Sequence, residues 1–453
     1  MLERKIEYEL TRWKAKPGKM CLLLGGARQV GKTYSVRRFG RDNYDNVIEL
    51  NFEKNPAFRQ VFAGSLEVDD ILARISLVYP GARFEPGKTL LFLDEVQSCP
   101  GARTALKFFT EDGRFDVVAT GSLLGIRYKD ESSLPVGYVD HLEMHSLDFE
   151  EYLWARGYSR EAVGMLASYV DQDGPVPDAI HETMMGMLRE HIVVGGMPKV
   201  VQTFVDTHNF AEVLRVQQGI LEDYRSDIAK YAEGAEKAKA RACFDSVPRQ
   251  LARDYKKFSY AVVQPKAGAR KYGGSLQWLY DAGIVNFCHN LETISLPLEG
   301  NAIDNNFKVY LRDTGLLVAM LEEGSQADIF NGNLGIYKGA VYENIVGDIF
   351  AKQDRKLYFY GEGAHFEIDF VIRQGGEAVP VEVKSAANRK AKSMKSVLGR
   401  GLASRGIKLS AGNRGVSGMV ETYPLYLAPF IKPDGGISRY REHHHAGKAA
   451  VRR

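Results

Sequence analysis

The sequence predicts an α/β protein whose first third is a parallel sheet built to bind a nucleotide. Three stretches predict it. The apolar run Cys21 to Leu24 breaks into Gly25-Gly26-Ala27-Arg28-Gln29-Val30-Gly31-Lys32-Thr33. Thr89 to Leu93 reads as a buried strand ending in Asp94-Glu95, and Phe115 to Ala119 runs into Thr120-Gly121-Ser122. Each is a short apolar run that turns polar at its C-terminal end, which is where an open parallel sheet meets its ligand.

The first stretch is a phosphate cradle. Gly26, Gly31, Lys32 and Thr33 fit G-x-x-x-x-G-K-[ST], in which glycines let backbone N–H groups turn inward on a polyphosphate. The expected ATP contacts are Gly26, Ala27, Arg28, Gln29, Val30, Gly31, Lys32, Thr33 and Tyr34, with Lys32 on the β- and γ-phosphates and the Thr33 hydroxyl on Mg²⁺. A helix over Tyr34 to Phe39 would aim its positive dipole end at the anion.

A second strand is expected over Asn46 to Phe52 and an amphipathic helix over Asp69 to Val78. Asp94 at the end of the next strand would hold Mg²⁺, directly or through water, and Glu95 would polarise the attacking water. Beyond the following strand, Thr120 and Ser122 are both candidates to touch the γ-phosphate or that water; capping of the next element is the alternative use.

With 453 residues, 45% of them apolar, the chain has material for several cores. Its net charge of +3, from 60 basic and 57 acidic side chains, advertises neither nucleic acid nor a membrane surface, so any such partner must meet a local patch. Cys21, Cys99, Cys243 and Cys288 form no C-x-x-C spacing, which argues against a zinc site and a disulfide framework and suits a reducing cytoplasm. No apolar run approaches the roughly 20 residues of a membrane helix, and Met1 to Pro17 is charged rather than signal-like.

The motifs GGARQVGKT, LLFLDEVQ, TGSLLG, LDFEEYL and GGMPKVV, in this order, resemble the bacterial and archaeal AAA-like ATPases that carry a C-terminal domain of unknown function. The resemblance runs from about residue 5 to about residue 430. It implies an ATPase domain over 1–160, a helical connection over 161–240, a winged-helix-like segment over 241–300, a nuclease-like domain over 301–432 and a polar tail over 433–453. Relatives place Gly-Arg or Gly-Lys after the sensor strand where this chain has Gly137-Tyr138. If that basic residue aids hydrolysis, Arg127 or another arginine must substitute, or turnover is slow.

Asp148 to Ala155 reads as a helix closing the ATPase domain, Asp171 to Pro177 as a loop, and Ala179 to Val194 as a long helix stopped by Gly195-Gly196. Ile220, Leu221, Tyr224 and Ile228 form one apolar helix stripe. Leu276, Leu279 and Tyr280 line a further helix that Ala282-Gly283 stops before a strand from Ile284, the part likened to a winged helix. Lys266, Arg270 and Lys271 before it are placed to meet phosphates.

In the last third, Glu367 to Ile372 and Val379 to Lys384 read as an antiparallel hairpin turned at Gly375-Gly376, with Asp369, Glu382 and Lys384 able to converge. Two acids able to hold Mg²⁺ beside a lysine suit metal-dependent phosphodiester cleavage. The pattern resembles the PD-(D/E)xK nuclease core, which implies Glu343 as its helix acid; a salt-bridge cluster is the alternative. From Lys384 to Arg414 there are many lysines and arginines and no Asp or Glu, the footprint of a DNA or RNA backbone. His443-His444-His445 is too short to read as a metal site.

The functional expectation is a cytoplasmic, ATP- and Mg²⁺-dependent, self-associating ATPase that controls a nuclease-like and nucleic-acid-binding module. The alternative is a nucleotide-dependent switch that binds a protein partner through a catalytically silent C-terminal domain. A phosphotransferase is a third reading, disfavoured because no acceptor-site motif accompanies the loop.

Overall fold

A computed structural model describes residues 2–122, 137–231, 236–253, 256–333, 338–363, 366–385 and 392–434. Arg127, Arg389, Lys390 and the histidine run lie outside the described residues. The chain forms two compact units. The first holds Arg4–Ser146 with Asp281–Gly283, and the second holds Leu147–Tyr280 and the chain from Ile284 onward.

In the first unit, α1 (Ile6–Ala15) precedes β1 (Cys21–Gly26), α2 (Lys32–Asn43), β2 (Asn46–Asn51), α3 (Val68–Val78), β3 (Thr89–Asp94), α4 (Pro100–Asp112), β4 (Asp116–Thr120) and β5 (Val139–Met144). All five strands are parallel, in the order β2-β3-β4-β1-β5. The central strands β3, β4 and β1 are covered on both faces and buried along nearly their whole length, while the edge strands β2 and β5 alternate. Leu22, Leu24, Leu90 and Phe92 face Leu10, Trp13, Val36 and Phe39 of α1 and α2. Leu23, Leu91 and Leu93 face Ile71, Ile75, Leu106 and Phe109 of α3 and α4. The parallel orientation brings every C-terminal strand end to one edge, where Gly26, Asn51, Asp94 and Thr120 stand.

The second unit begins with α5 (Phe149–Ala155), capped by a reciprocal Asp148–Glu151 box. The sequence assigns this helix to the ATPase domain, but Phe149 and Tyr152 stack on the buried ring of His191 in α6 (Asp178–Val194), and Tyr152 donates to Glu190 at 2.8 Å. After α7 (Pro198–Thr207), α8 (Phe210–Tyr231), α9 (Glu236–Leu251) and α10 (Ala269–Asp281), the chain enters β6 (Val285–Leu291) and β7 (Ala302–Leu311). These two strands form an antiparallel hairpin that starts in the segment likened to a winged helix. Its strands also open a larger sheet, because Cys288 to Asn290 pair in parallel with Leu357 to Phe359 of β8 (Leu357–Glu362). The order of that sheet is β7-β6-β8-β9, with β9 spanning Phe366–Ile368. The expected boundary at residue 300 therefore falls inside one sheet. The pairing reason is physical: a wing's bare strand edge is here hydrogen-bonded by a later strand.

Following β7 come α11 (Thr314–Ala319) and α12 (Lys338–Lys352). The last sheet joins β10 (Phe370–Gln374), β11 (Glu377–Lys384), β12 (Gly406–Ser410), β13 (Gly415–Ser417) and β14 (Val420–Pro424) in the order β10-β11-β12-β14-β13. The predicted hairpin is present, with Phe370 opposite Val381 and Gln374 opposite Glu377. Its first strand is broken at Asp369, where the chain leaves one sheet and enters the other.

The GGMPKVV motif has a packing role. The Gly196 N–H donates to Asp313 at 2.8 Å and its carbonyl accepts from Leu147 N–H at 2.7 Å, while Asp313 also caps α11 through Leu316 N–H. A Cβ on Gly196 would lie 2.0 Å from the Leu147 carbonyl oxygen. Gly196→Ala is therefore expected to destabilise the second unit by about 3 kcal/mol, at the upper end for overpacking against a backbone that cannot give. Denaturant unfolding checks this, and a change within a few tenths of wild type would contradict it.

Candidate functional site

The loop between β1 and α2 closes on itself. Gly31 has φ +100° and Gly26 φ +153°, and a Cβ on Gly26 would lie 2.4 Å from the Met144 carbonyl oxygen, so glycine is needed at both bends. The ammonium of Lys32, 8% exposed, donates to the Gly26 and Ala27 carbonyl oxygens at 2.9 and 2.8 Å. Burial lowers its pKa to about 8, against the pull of Glu95 and Asp94. From the other side the buried Arg4 guanidinium donates to the Val30 carbonyl at 3.0 Å and the His145 carbonyl at 2.7 Å, tying the loop to the end of β5. Arg28 lies 3.9 Å from Glu53, and Tyr34 is half exposed at the start of α2.

Asp94 is the centre of the site. It is 1% exposed and accepts from the Thr33 hydroxyl at 3.1 Å, from Asn51 Nδ2 at 2.7 Å and from the Thr120 hydroxyl. Thr120 reaches it because β4 is inserted between β1 and β3; Ser122 lies two residues past the strand, half-buried. Asn51 escaped the sequence reading. Its signal was its place at the end of the strand beside β3, and its Oδ1 also accepts from the Glu53 and Lys54 N–H groups at 3.1 and 2.7 Å.

Glu95 follows β3 in the left-handed region, at φ +58°, which turns its carboxylate out of the strand's alternation. Burial raises its pKa, while the Gln97 amide, donating to Glu95 Oε2 at 2.6 Å, pulls the other way. Tyr138 is nowhere near this group. Val139 is in register with Cys21 and Met144 with Gly26, so position 138 lies at the opposite end of the sheet, roughly 17 Å away at the usual strand rise. A basic residue there would not serve this chain's own loop, which corrects the role expected for the Gly137-Tyr138 departure. Tyr138 instead accepts at its carbonyl from Thr110 at 2.8 Å, and its ring lies under Lys107.

The second unit gathers the predicted C-terminal residues around a buried ionic cluster. Glu343 on α12, Glu367 on β9 and Asp369 at the sheet crossing each place a carboxylate oxygen within 4.8 Å of the others. Asp369 also accepts from the Val383 N–H at 2.7 Å, and Glu382 pairs with Lys384 at 2.6 Å. Two lysines that the sequence reading did not weigh complete the group. Lys256 hydrogen-bonds to Glu343, and Lys308 on β7 hydrogen-bonds to Glu367 while lying 3.6 Å from Glu343. The Tyr310 hydroxyl, two residues along β7, donates to Glu343 at 3.3 Å. Lys256 and Lys308 hold Glu343 down at about 2 despite its burial, whereas burial and Glu343 push Asp369 up to about 7.

Among the described residues of the basic stretch, Lys384, Arg400, Arg405 and Arg414 make intramolecular contacts. Arg400 forms a fork with Glu362 at 2.9 and 2.7 Å, Arg405 lies 3.4 Å from Glu377 and 3.5 Å from Glu421, and Arg414 donates to the Val170 carbonyl at 3.3 Å. The stretch lacks acids in sequence, but neighbouring strands supply them. In the segment likened to a winged helix, Lys271 donates to Gln264 at 2.7 Å. Among the described residues no helix is long and apolar enough to cross a membrane.

Residues 18–153 match a family described as AAA domain. The first unit is an AAA-type ATP-binding domain. Residues 185–327 and 338–425 of the same chain match two families, each described as a domain of unknown function (DUF8612 and DUF4143). No curated protein matches the chain. Among solved structures it is similar to the Walker-type ATPase PABY2304 of Pyrococcus abyssi, at 13% identity and a TM-score of 0.41 over 71% of this chain and 96% of that one. It is also similar to the Aeropyrum pernix ORC1 protein in complex with DNA, at 14% identity and a TM-score of 0.31 over 73% and 94%. For AMPPCP-bound DnaA from Aquifex aeolicus the values are 10%, 0.28, 62% and 90%. We draw no functional conclusion from likeness at this level. The AAA match extends past Ser146 to include α5, whose packing belongs to the second unit.

Proposed function

We propose that the chain hydrolyses ATP with Mg²⁺ and that its nucleotide state governs the second unit, which acts as a binding module and does not cut. The observation that carries the first half is the meeting of Thr33, Asn51 and Thr120 on the Asp94 carboxylate beside the Lys32 loop. The Thr33 hydroxyl and the Asp94 carboxylate are hard oxygen donors of the kind Mg²⁺ selects, so these two would hold it. When bound, the ion neutralises phosphate charge. Lys32 would leave the Gly26 and Ala27 carbonyls for the phosphates, Glu95 would take the proton of the attacking water, and Thr120 and Asn51 would fix the Asp94 carboxylate.

The second half rests on Lys256 and Lys308, two ammonium groups beyond the motif's own Lys384 that already pair with Glu343 and Glu367. The purified chain should release phosphate from ATP in Mg²⁺, and chelation with EDTA should stop it. Phosphate release that continues undiminished in EDTA would overturn the metal dependence, and a chain that binds no ATP would overturn the whole reading.

A further inference from the structure

The resemblance to a nuclease core implies a divalent cation held by Asp369 and Glu382, with Glu343 as the helix acid, and the residues present do not fit one. Three carboxylate oxygens, from Glu343, Glu367 and Asp369, are close enough to share a cation. A cation is already there. Lys308 is 0% exposed, hydrogen-bonds to Glu367, lies 3.6 Å from Glu343 and is in electrostatic reach of Asp369. We infer that this cluster is a metal-free ionic core in which the Lys308 ammonium holds the position a divalent ion would take in a nuclease. The inference deepens the reading of the second unit as a module that binds and does not cut.

Burial is what separates Lys308 from an ordinary active-site lysine. Lys384 and Lys256 keep 23% and 14% of their side chains exposed and have a route to solvent. Lys308 has none, since its side chain is fully buried and its ammonium lies over the Phe359 ring at 4.7 Å. A divalent ion among the same oxygens would press against a fixed ammonium where screening is weak, and removing a lone partner from such a cluster leaves bare buried charge. Lys256 adds a second ammonium on Glu343, and the Val383 N–H takes one oxygen of Asp369. Glu343, Glu367 and Glu382 thus have lysine partners without a metal, while Asp369 has a backbone N–H as its partner and Glu367 Oε2 and Glu382 Oε2 are buried without a hydrogen bond.

Mn²⁺ titration followed by electron paramagnetic resonance tests this on the nucleotide-free full chain, in an Asp94→Asn background that removes the nucleotide-site carboxylate. The expected result is no cluster-bound Mn²⁺ at millimolar concentration in that parent and one new site in Lys308→Met. Adding Asp369→Asn to Lys308→Met should remove the new site. A parent that binds one Mn²⁺ lost with Asp369→Asn would overturn the inference, and that comparison stands even if Lys308→Met does not fold. A folded Lys308→Met that binds no Mn²⁺ would also overturn it. ATP turnover is measured separately on the wild-type chain, so failure at this cluster leaves the ATPase reading intact and the reverse holds too.

Discussion

Lys32→Ala is expected to weaken ATP binding by on the order of a hundredfold or more, because two or more charge-assisted hydrogen bonds to phosphate are lost at about 1.5 to 3 kcal/mol each. Fluorescent-nucleotide titration reads it. The fold should survive, since the ammonium's present partners are two backbone carbonyls and not a buried carboxylate. The interaction carries a pH signature. In the free protein burial lowers Lys32 to about 8, and a bound polyphosphate favours the protonated form. Binding therefore takes up a proton above that pH, and ATP affinity should fall as pH rises through about 8. The Lys32→Ala variant should lose this slope along with most of its affinity. Unchanged affinity in Lys32→Ala would remove the loop from the site.

Glu95→Gln is expected to leave ATP binding near wild type and slow hydrolysis by roughly a hundredfold to ten-thousandfold, the range for a lost general base. Its amide would keep the shape of the side chain without accepting a proton. The pH dependence has the opposite sign from that of Lys32. A base works deprotonated, burial has raised Glu95 above the usual carboxylate range, and turnover should fall as pH drops through that raised value. The Gln97 amide at 2.6 Å opposes the rise, so it sets where the acid limb lies. Single-turnover phosphate release across pH reads both features. Normal turnover in Glu95→Gln would move the base to another residue.

The nucleotide site was legible in the sequence because its parts are local. A glycine loop needs its glycines at fixed spacing for backbone reasons, and strand ends in a parallel sheet carry their polar residues at one edge. Asn51 was not legible, since its role depends on β2 lying beside β3, a neighbour relation that no spacing encodes. Tyr138 was misplaced for the same reason: proximity to the sensor strand in sequence hid the fact that β5 starts at the far end of the sheet.

In the second unit the hairpin and its turn were readable from alternation and composition, while the helix acid Glu343 came only with the resemblance to a nuclease core. The lysines were not. Lys308 lies in a strand separated by more than fifty residues from Glu367, its hydrogen-bond partner, and only the joining of β6 to β8 brings β7 into the same core. The basic run showed the complementary failure. It looked unpaired because its acids, Glu362, Glu377 and Glu421, come from other strands.

In the proposed function the nucleotide state of the AAA domain governs the second unit. Hydrogen exchange on the Glu95→Gln chain, free and with ATP and Mg²⁺, tests it most directly, because this variant is expected to bind ATP and turn it over far more slowly. The account predicts that ATP changes exchange within the second unit, across the helices and sheets from Leu147 onward, as well as around the Lys32 loop. Protection confined to residues of the first unit, with the second unit exchanging identically in both states, would contradict it.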